Sequence, residues 1–379
     1  MKINMIINAA LTVVLAHLAL GVILWLRVRN LYSYPGLLGF PVIGNIYYFY
    51  RALFLGSFES LRAYFFQIVK QYGKNGICFL YAYSFHLLVV VYGPQVLKQI
   101  GFHPNLKDKP FYPYQSFKNY MNGPFSRHRT DDSWKMRRKE YNCILRKQRV
   151  ESTYFKAFLK SADKLVDLMF ASSSALDIRN KALEVTQSVT MENTDSYHPL
   201  PIWIASRTEK SKKFEERVVA ELQEVFLTSS ITVASTMSST ITYLAVLPQI
   251  QERAWKEQYE IFGDESREPT LEDLEQMKFL ERVIKESLRF SCPPFVGKQA
   301  SEDIEVDGTI IPKNTIVIYL LEFLHKDPKY WKNPEVFDPD RFLEENEGLK
   351  YSYAPFGVGV RSCPGIHFAM TQKLHCQKY

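Results

Sequence analysis

The stretch best suited to chemistry is Phe356-Gly357-Val358-Gly359-Val360-Arg361-Ser362-Cys363-Pro364-Gly365. Gly357 and Gly359 permit positive φ and a tight backbone path. Pro364, directly after the cysteine, suits the first position of a helix. That places Cys363 at a helix N-terminus, where free N–H groups and the helix dipole stabilise a thiolate. Gly365 leaves room for a flat ligand against the helix backbone. Arg361 adds a permanent cation suited to a carboxylate. Two readings fit these residues: a thiolate ligand to a metal with an anionic group nearby, or a glycine-rich loop with a structural cysteine.

Other constellations are weaker alone. Glu286 and Arg289 share one helix face at i,i+3 spacing, a pattern that surface pairs also produce. The run from Thr228 to Thr240 is dense in hydroxyls and forms either a solvated helix face or the wall of a polar pocket. His325, His367, His375 and Cys376 could be grouped with Cys363 around zinc, but their spacings resemble no compact zinc site. His367 and His375 read as ordinary helix residues. Cys78, Cys143 and Cys292 read as buried small hydrophobes. The basic cluster Lys135, Arg137, Arg138, Lys139, Arg146, Lys147 and Arg149 reads mostly as a solvated face. No Walker loop, G-x-S-x-G elbow or H-E-x-x-H sequence is present.

The elements that must position these residues follow from composition and patterning. With 46% hydrophobic and 23% charged residues, the 379-residue chain is globular rather than disordered or many-spanning. The 14% aromatic content suits a large core around something flat and apolar. A net charge of +7 without a block of like charges argues against nucleic-acid binding. It leaves a basic patch for an acidic protein or an anionic membrane surface. Five cysteines in so long a chain point to a reducing compartment rather than a disulfide framework.

Met5 to Leu26 carries no charge, and a helix of that length rises about 33 Å, enough for one membrane span. Arg27 and Arg29 follow and favour a cytoplasmic body. A cleaved signal has a shorter core and small residues at its end. The prolines and glycines of 34–45 forbid a helix and predict a stiff neck. The expected organisation is a membrane anchor over 1–28, a proline/glycine hinge over 29–45 and a catalytic domain over 46–379.

Within the body, 57–72 reads as helix, 78–92 as two short strands, and 134–192 as mostly helix. Ser196–Arg207 reads as a loop. A long helix from about Glu215 breaks at Pro248 and continues to Phe262. Another runs from Leu271 to Phe290, and Ile304–Leu321 alternates like strands around a turn at Asp307-Gly308. The fold class is therefore mainly α, of the α+β type.

The cysteine loop resembles the haem-binding signature of the cytochrome P450 family, F-G-x-G-x-R-x-C-x-G, matched without a substitution from Phe356 to Gly365. Glu286-Ser287-Leu288-Arg289 matches the family's E-x-x-R. Phe337-Asp338-Pro339-Asp340-Arg341-Phe342 matches its F-x-P-x-R-F element. The resemblance implies that Glu286, Arg289 and Arg341 form a buried network bracing the haem loop. Trp134 and Arg138 match a W-x-x-x-R element that binds a haem propionate. Segments 279–289 and 325–331 look like the animal microsomal members, most of all the family-four group. There Lys298 stands where an arginine usually faces a propionate, keeping the charge but not the fork geometry.

The resemblance implies a cytochrome P450 fold, haem b with Cys363 as axial thiolate, and Phe356, Arg361 and Gly365 as further cofactor contacts. It implies insertion of one oxygen atom of dioxygen into an apolar, lipid-like substrate. Electrons would come from NADPH through NADPH-cytochrome P450 reductase, in the endoplasmic reticulum membrane. Thr232 falls on the family's catalytic threonine. Ser229 replaces a glycine before it, and Ile231 replaces the neighbouring acid, which removes a proton carrier. Thr228 stands where the family-four group often carries a haem-esterifying glutamate, so non-covalent haem is expected. The interval from Arg138 to Thr232 is shorter than usual, with the shortening placed between about 195 and 212, and the chain ends soon after Cys363. The fold is thus expected to be incomplete, with a distal face open to water. A catalytically impaired or inert haem-binding remnant is the competing expectation.

Overall fold

The computed structural model describes residues 2–28, 58–73, 75–81, 87–111, 125–170, 177–191, 212–264, 267–293, 296–343 and 351–375. The hinge expected over 29–45, the loop expected over 196–207 and Cys376 lie outside the described residues.

Helix α1 (Lys2–Val28) takes in the apolar run at the N-terminus. No single helix among the described residues is long and apolar enough to cross a membrane. Sequence reading assigns a single-pass span to Met5–Leu26; the structure places those residues in one helix.

Helix α2 (Phe58–Tyr72) and strands β1 (Ile77–Tyr81) and β2 (Leu87–Val91) follow the sequence pattern closely. Helix α3 (Pro94–Phe102) starts on its proline, whose missing N–H costs nothing at that position. Helix α4 (Asp132–Ile144) is capped by Asp131, whose carboxylate accepts the Trp134 N–H at 2.8 Å. Helices α5 (Lys147–Phe170) and α6 (Ile178–Met191) complete the region read as mostly helical. The long α7 (Lys212–Val246) runs for about 52 Å and turns at Leu247 into α8 (Pro248–Phe262).

The helix expected over 271–290 is two helices. Helix α9 (Leu271–Gln276) opens with a reciprocal capping box between Thr270 and Asp273, and α10 (Lys278–Ser291) begins after a break at Met277. Strand β3 (Val296–Gln299) was not legible in the sequence. Strands β4 (Ile304–Val306) and β5 (Thr309–Ile311) form the expected hairpin. Asp307 and Gly308 both take positive φ, the geometry of a two-residue hairpin turn. Strand β6 (Ile316–Tyr319) and helix α11 (Leu321–Lys326) follow, and α12 (Ile366–His375) closes the described chain.

The main sheet has strand order β1-β2-β6-β3. β2 and β6 are parallel, with Leu88 opposite Ile316, and the other two pairs are antiparallel. Its core gathers Val89, Val91, Leu97, Ile100, Val317 and Leu324. A second core joins α5, α6, α7 and α12 through Leu165, Val185, Met237 and Ala369. Phe356 packs against this core and against the one beneath α10. The cysteine loop is therefore held between the helical core and the sheet.

Candidate functional site

Cys363 is exposed. Its N–H donates to the Phe356 carbonyl at 2.9 Å, and the Gly357 N–H donates to the Ala354 carbonyl at 2.9 Å. These bonds fold residues 354–363 into a closed loop. Gly359 has φ +78°, and a Cβ there would overlap the Gly101 carbonyl oxygen. Glycine is required on both counts. One expectation is corrected: α12 begins at Ile366, so Pro364 precedes the first helical position and Cys363 lies just before the helix. The carbonyl of Gly365, accepting from the Ala369 N–H at 2.9 Å, opens the helix instead.

Cations surround the loop. Trp134 and Arg138 stand at i,i+4 on α4, both buried. Arg138 donates from Nη2 to the Ser362 carbonyl and from Nε to Asn142 at 3.1 Å. Burial lowers its pKa from the usual value, while the nearby Cys363 sulfur opposes that shift. Arg361 lies 4.1 Å from the Trp134 ring. It donates to Thr130 Oγ1 at 2.8 and 3.1 Å and to the His128 carbonyl at 3.2 Å. Lys298, on β3, is 3% exposed and donates to the Gly101 carbonyl at 3.1 Å. Burial, and after it the charge of Arg361, lowers the Lys298 pKa to about 8. Lys298, Arg361 and Lys109 line one cleft with Gly357 and Val358.

Glu286, Arg289 and Arg341 meet in one network. Glu286 and Arg289 are fully buried on α10. Arg289 donates from Nε to Glu286 Oε2 at 2.8 Å and from Nη2 to Oε1 at 2.9 Å. Arg341 Nε donates to Glu286 Oε1 at 3.0 Å, as does the Asp338 N–H at 2.9 Å. The two guanidiniums also donate to the carbonyls of His325, Val336 and Lys332. A buried carboxylate thus has the cations and donors needed to offset its desolvation.

Thr232 stands apart. It is exposed on α7, makes no hydrogen bond to the cysteine loop, and donates its hydroxyl to the Thr228 carbonyl at 2.8 Å. Thr228, Thr236, Thr240, Ser238 and Thr242 bond back four residues in the same way. Ile231 beside it is 48% exposed.

Several features escaped sequence reading. Arg137, taken as part of a solvated face, is buried and paired with Glu221 of α7 at 2.9 Å. Glu224, one turn further along, is buried, and its carboxyl pKa is raised by that burial. Cys143 is half-buried rather than buried. Placing Glu221 and Glu224 on the apolar side of α7 by helical period was the one available signal.

The residues present fit a haem. At Gly365 an added Cβ would meet, among the described residues beyond its chain neighbours, only Cys363 Sγ, at 3.8 Å, so a flat group has access beside the sulfur. Arg138 and Lys298 end on carbonyl and amide oxygens, and the repulsion between Lys298 and Arg361 is one that carboxylates would relieve.

A mostly helical fold, an exposed cysteine on a glycine-bent loop and a buried Glu–Arg–Arg brace define a haem-thiolate protein architecture. The Cytochrome P450 family profile matches residues 178–374. The chain belongs to the cytochrome P450 family. It is 36% identical over 168 residues to rat (Rattus norvegicus) Cytochrome P450 4V2, covering 44% of this chain and 32% of that one. It is 33% identical over 239 residues to Cytochrome P450 6k1 of Blattella germanica, covering 61% of this chain and 43% of that one. The chain thus spans less than half the length of each of these curated relatives. The crystal structure of the cytochrome P450DA heme domain shares the fold with a TM-score of 0.75 at 18% identity, covering 90% of this chain and 89% of that one.

Proposed function

We propose that the chain is a haem-dependent monooxygenase that inserts one oxygen atom of dioxygen into an apolar, lipid-like substrate. The carrying observation is the exposed Cys363 beside open space at Gly365, with Arg138, Arg361 and Lys298 around the loop. Bound haem b supplies the oxygen and one-electron chemistry. Cys363 is its thiolate ligand. Trp134, Arg138, Arg361 and Lys298 would hold its carboxylates, and Phe356 and Gly365 would line its site. Glu286, Arg289 and Arg341 keep the underlying framework rigid. Thr232, on α7, would hold and pass protons. Electrons come from NADPH through NADPH-cytochrome P450 reductase, whose acidic surface suits the basic charge of the chain. Helix α1 anchors the protein in the endoplasmic reticulum membrane, with the body in the cytosol.

The test is the carbon monoxide difference spectrum of the reduced protein. A thiolate-type Soret band is expected in the native chain and in Cys363→Ala is expected to vanish. The same band surviving in Cys363→Ala would overturn the assignment.

Ile231 favours a second reading, a haem-binding scaffold with impaired turnover. An isoleucine delivers no proton, and the Thr232 hydroxyl is itself donated to the Thr228 carbonyl. The stoichiometry of NADPH consumed against product and peroxide formed decides between the two. Tight coupling to an organic product supports the monooxygenase; peroxide alone supports the impaired scaffold.

A further inference from the structure

No hydrogen bond among the described residues runs from the buried Glu286–Arg289–Arg341 brace to the cysteine loop. Among the described residues, its hydrogen bonds end on His325, Lys332, Asn333, Val336 and Asp338, none within 351–363. Something else must connect the two. His325, at the end of α11, is completely buried. Its backbone carbonyl accepts the Arg289 Nη1 hydrogen at 2.7 Å, and its ring Nε2 accepts the Ala354 N–H at 2.8 Å. Ala354 in turn accepts the Gly357 N–H that starts the loop, and Phe356 accepts the Cys363 N–H.

We propose that His325 is the positioning residue of the cysteine loop: one residue joins the Arg289 brace, through its carbonyl, to the Ala354 amide, through its ring. The monooxygenase reading enters only in naming Cys363 as the ligand that the loop presents.

The ring is fixed from every side. A ring nitrogen that accepts the Ala354 N–H carries no proton, so the neutral ring holds its hydrogen on Nδ1. That atom lies 3.2 Å from the buried Cys292 sulfur, which accepts it. Burial holds His325 neutral, with a pKa near 3, so the ring does not switch across neutral pH. Trp331 meets the ring edge-on at 6.5 Å, and Tyr353 lies at 5.4 Å. Tyr353 is itself tied through its hydroxyl to the Lys285 carbonyl at 2.9 Å, and Trp331 through Nε1 to the Leu324 carbonyl at 3.0 Å. The donor on Nδ1 and the acceptor on Nε2 both have work, which no aliphatic side chain of that volume could do.

Amide exchange at Ala354 reads the clamp without haem. In His325→Leu the buried N–H loses its acceptor and is expected to exchange roughly tenfold faster. His325→Gln offers Oε1 as a substitute acceptor and is expected to restore most of the protection. With haem bound, His325→Leu is expected to divide the reduced carbon monoxide complex between thiolate and thiol bands, and His325→Gln to keep the thiolate band. Unchanged Ala354 exchange in His325→Leu, or equal behaviour of the two variants, overturns the proposal. Should His325→Leu not fold, nitrogen NMR of the native imidazole decides. A proton on Nδ1 and a bare Nε2 support the clamp, and a proton on Nε2 overturns it. A native chain that takes up no haem while Ala354 protection still follows His325 would refute the monooxygenase reading and leave the clamp standing.

Discussion

Lys298→Met separates the stability of the chain from its affinity for an anionic cofactor. Lys298 is nearly fully buried beside Arg361, and its pKa falls from the ordinary 10.5 to about 8. Holding that charge inside the fold at neutral pH therefore costs about 3 kcal/mol relative to the unfolded chain. Methionine fills similar volume without the charge. It also leaves the buried Gly101 carbonyl without its donor, a loss of about 1–2 kcal/mol. The haem-free variant is thus expected to be more stable than the native chain at pH 7 by about 1–2 kcal/mol. The sign with pH is determined by which state holds the proton. Between about pH 8 and the unfolded value of 10.5, the unfolded native chain binds the proton that the folded one has lost. Native stability therefore gains from Lys298 as pH rises through that window, and the variant lacks this gain. Urea unfolding of both proteins at neutral and alkaline pH measures the difference. Haem retention is expected to move the other way, with faster haem loss in Lys298→Met. A variant less stable at pH 7, with the same pH dependence as the native chain, would refute the reasoning.

Glu286→Gln should destabilise the fold by about 3–5 kcal/mol, because Arg289 and Arg341 would keep buried charge without a counter-ion; chemical denaturation measures it. Gly359→Ala, at φ +78° and against the Gly101 carbonyl, should displace the loop at a cost above about 2 kcal/mol and lower haem content per folded chain. Removing residues 2–28 should reduce carbonate-resistant membrane association. A glycosylation site placed just after Arg29 should remain unmodified if the body faces the cytosol.

The cysteine loop was legible because its chemistry is local. Two glycines, an arginine, a cysteine and a proline within ten residues specify a bent thiolate-bearing turn wherever it sits. The Glu286/Arg289 spacing and the 2- and 3.6-residue periods of the strands and helices are local in the same sense. The strand β3 was not read, since Val296-Gly297-Lys298-Gln299 alternates no more clearly than a loop. It becomes a strand only by pairing with β6. Its pairing decides that Lys298 is buried, and so decides its pKa.

Sequence by itself therefore determined the bent cysteine loop, the Glu286/Arg289 spacing and most of the described elements. Tertiary structure alone decided which side chains meet. Arg361 reaches Thr130 across a separation of 231 residues, Arg137 finds Glu221 in α7, and His325 receives the Ala354 amide from the next segment. None of these pairs has a period or a spacing to announce it. Each exists because burial left a polar group that had to find a partner, and only the packing of distant elements determines which one is within reach.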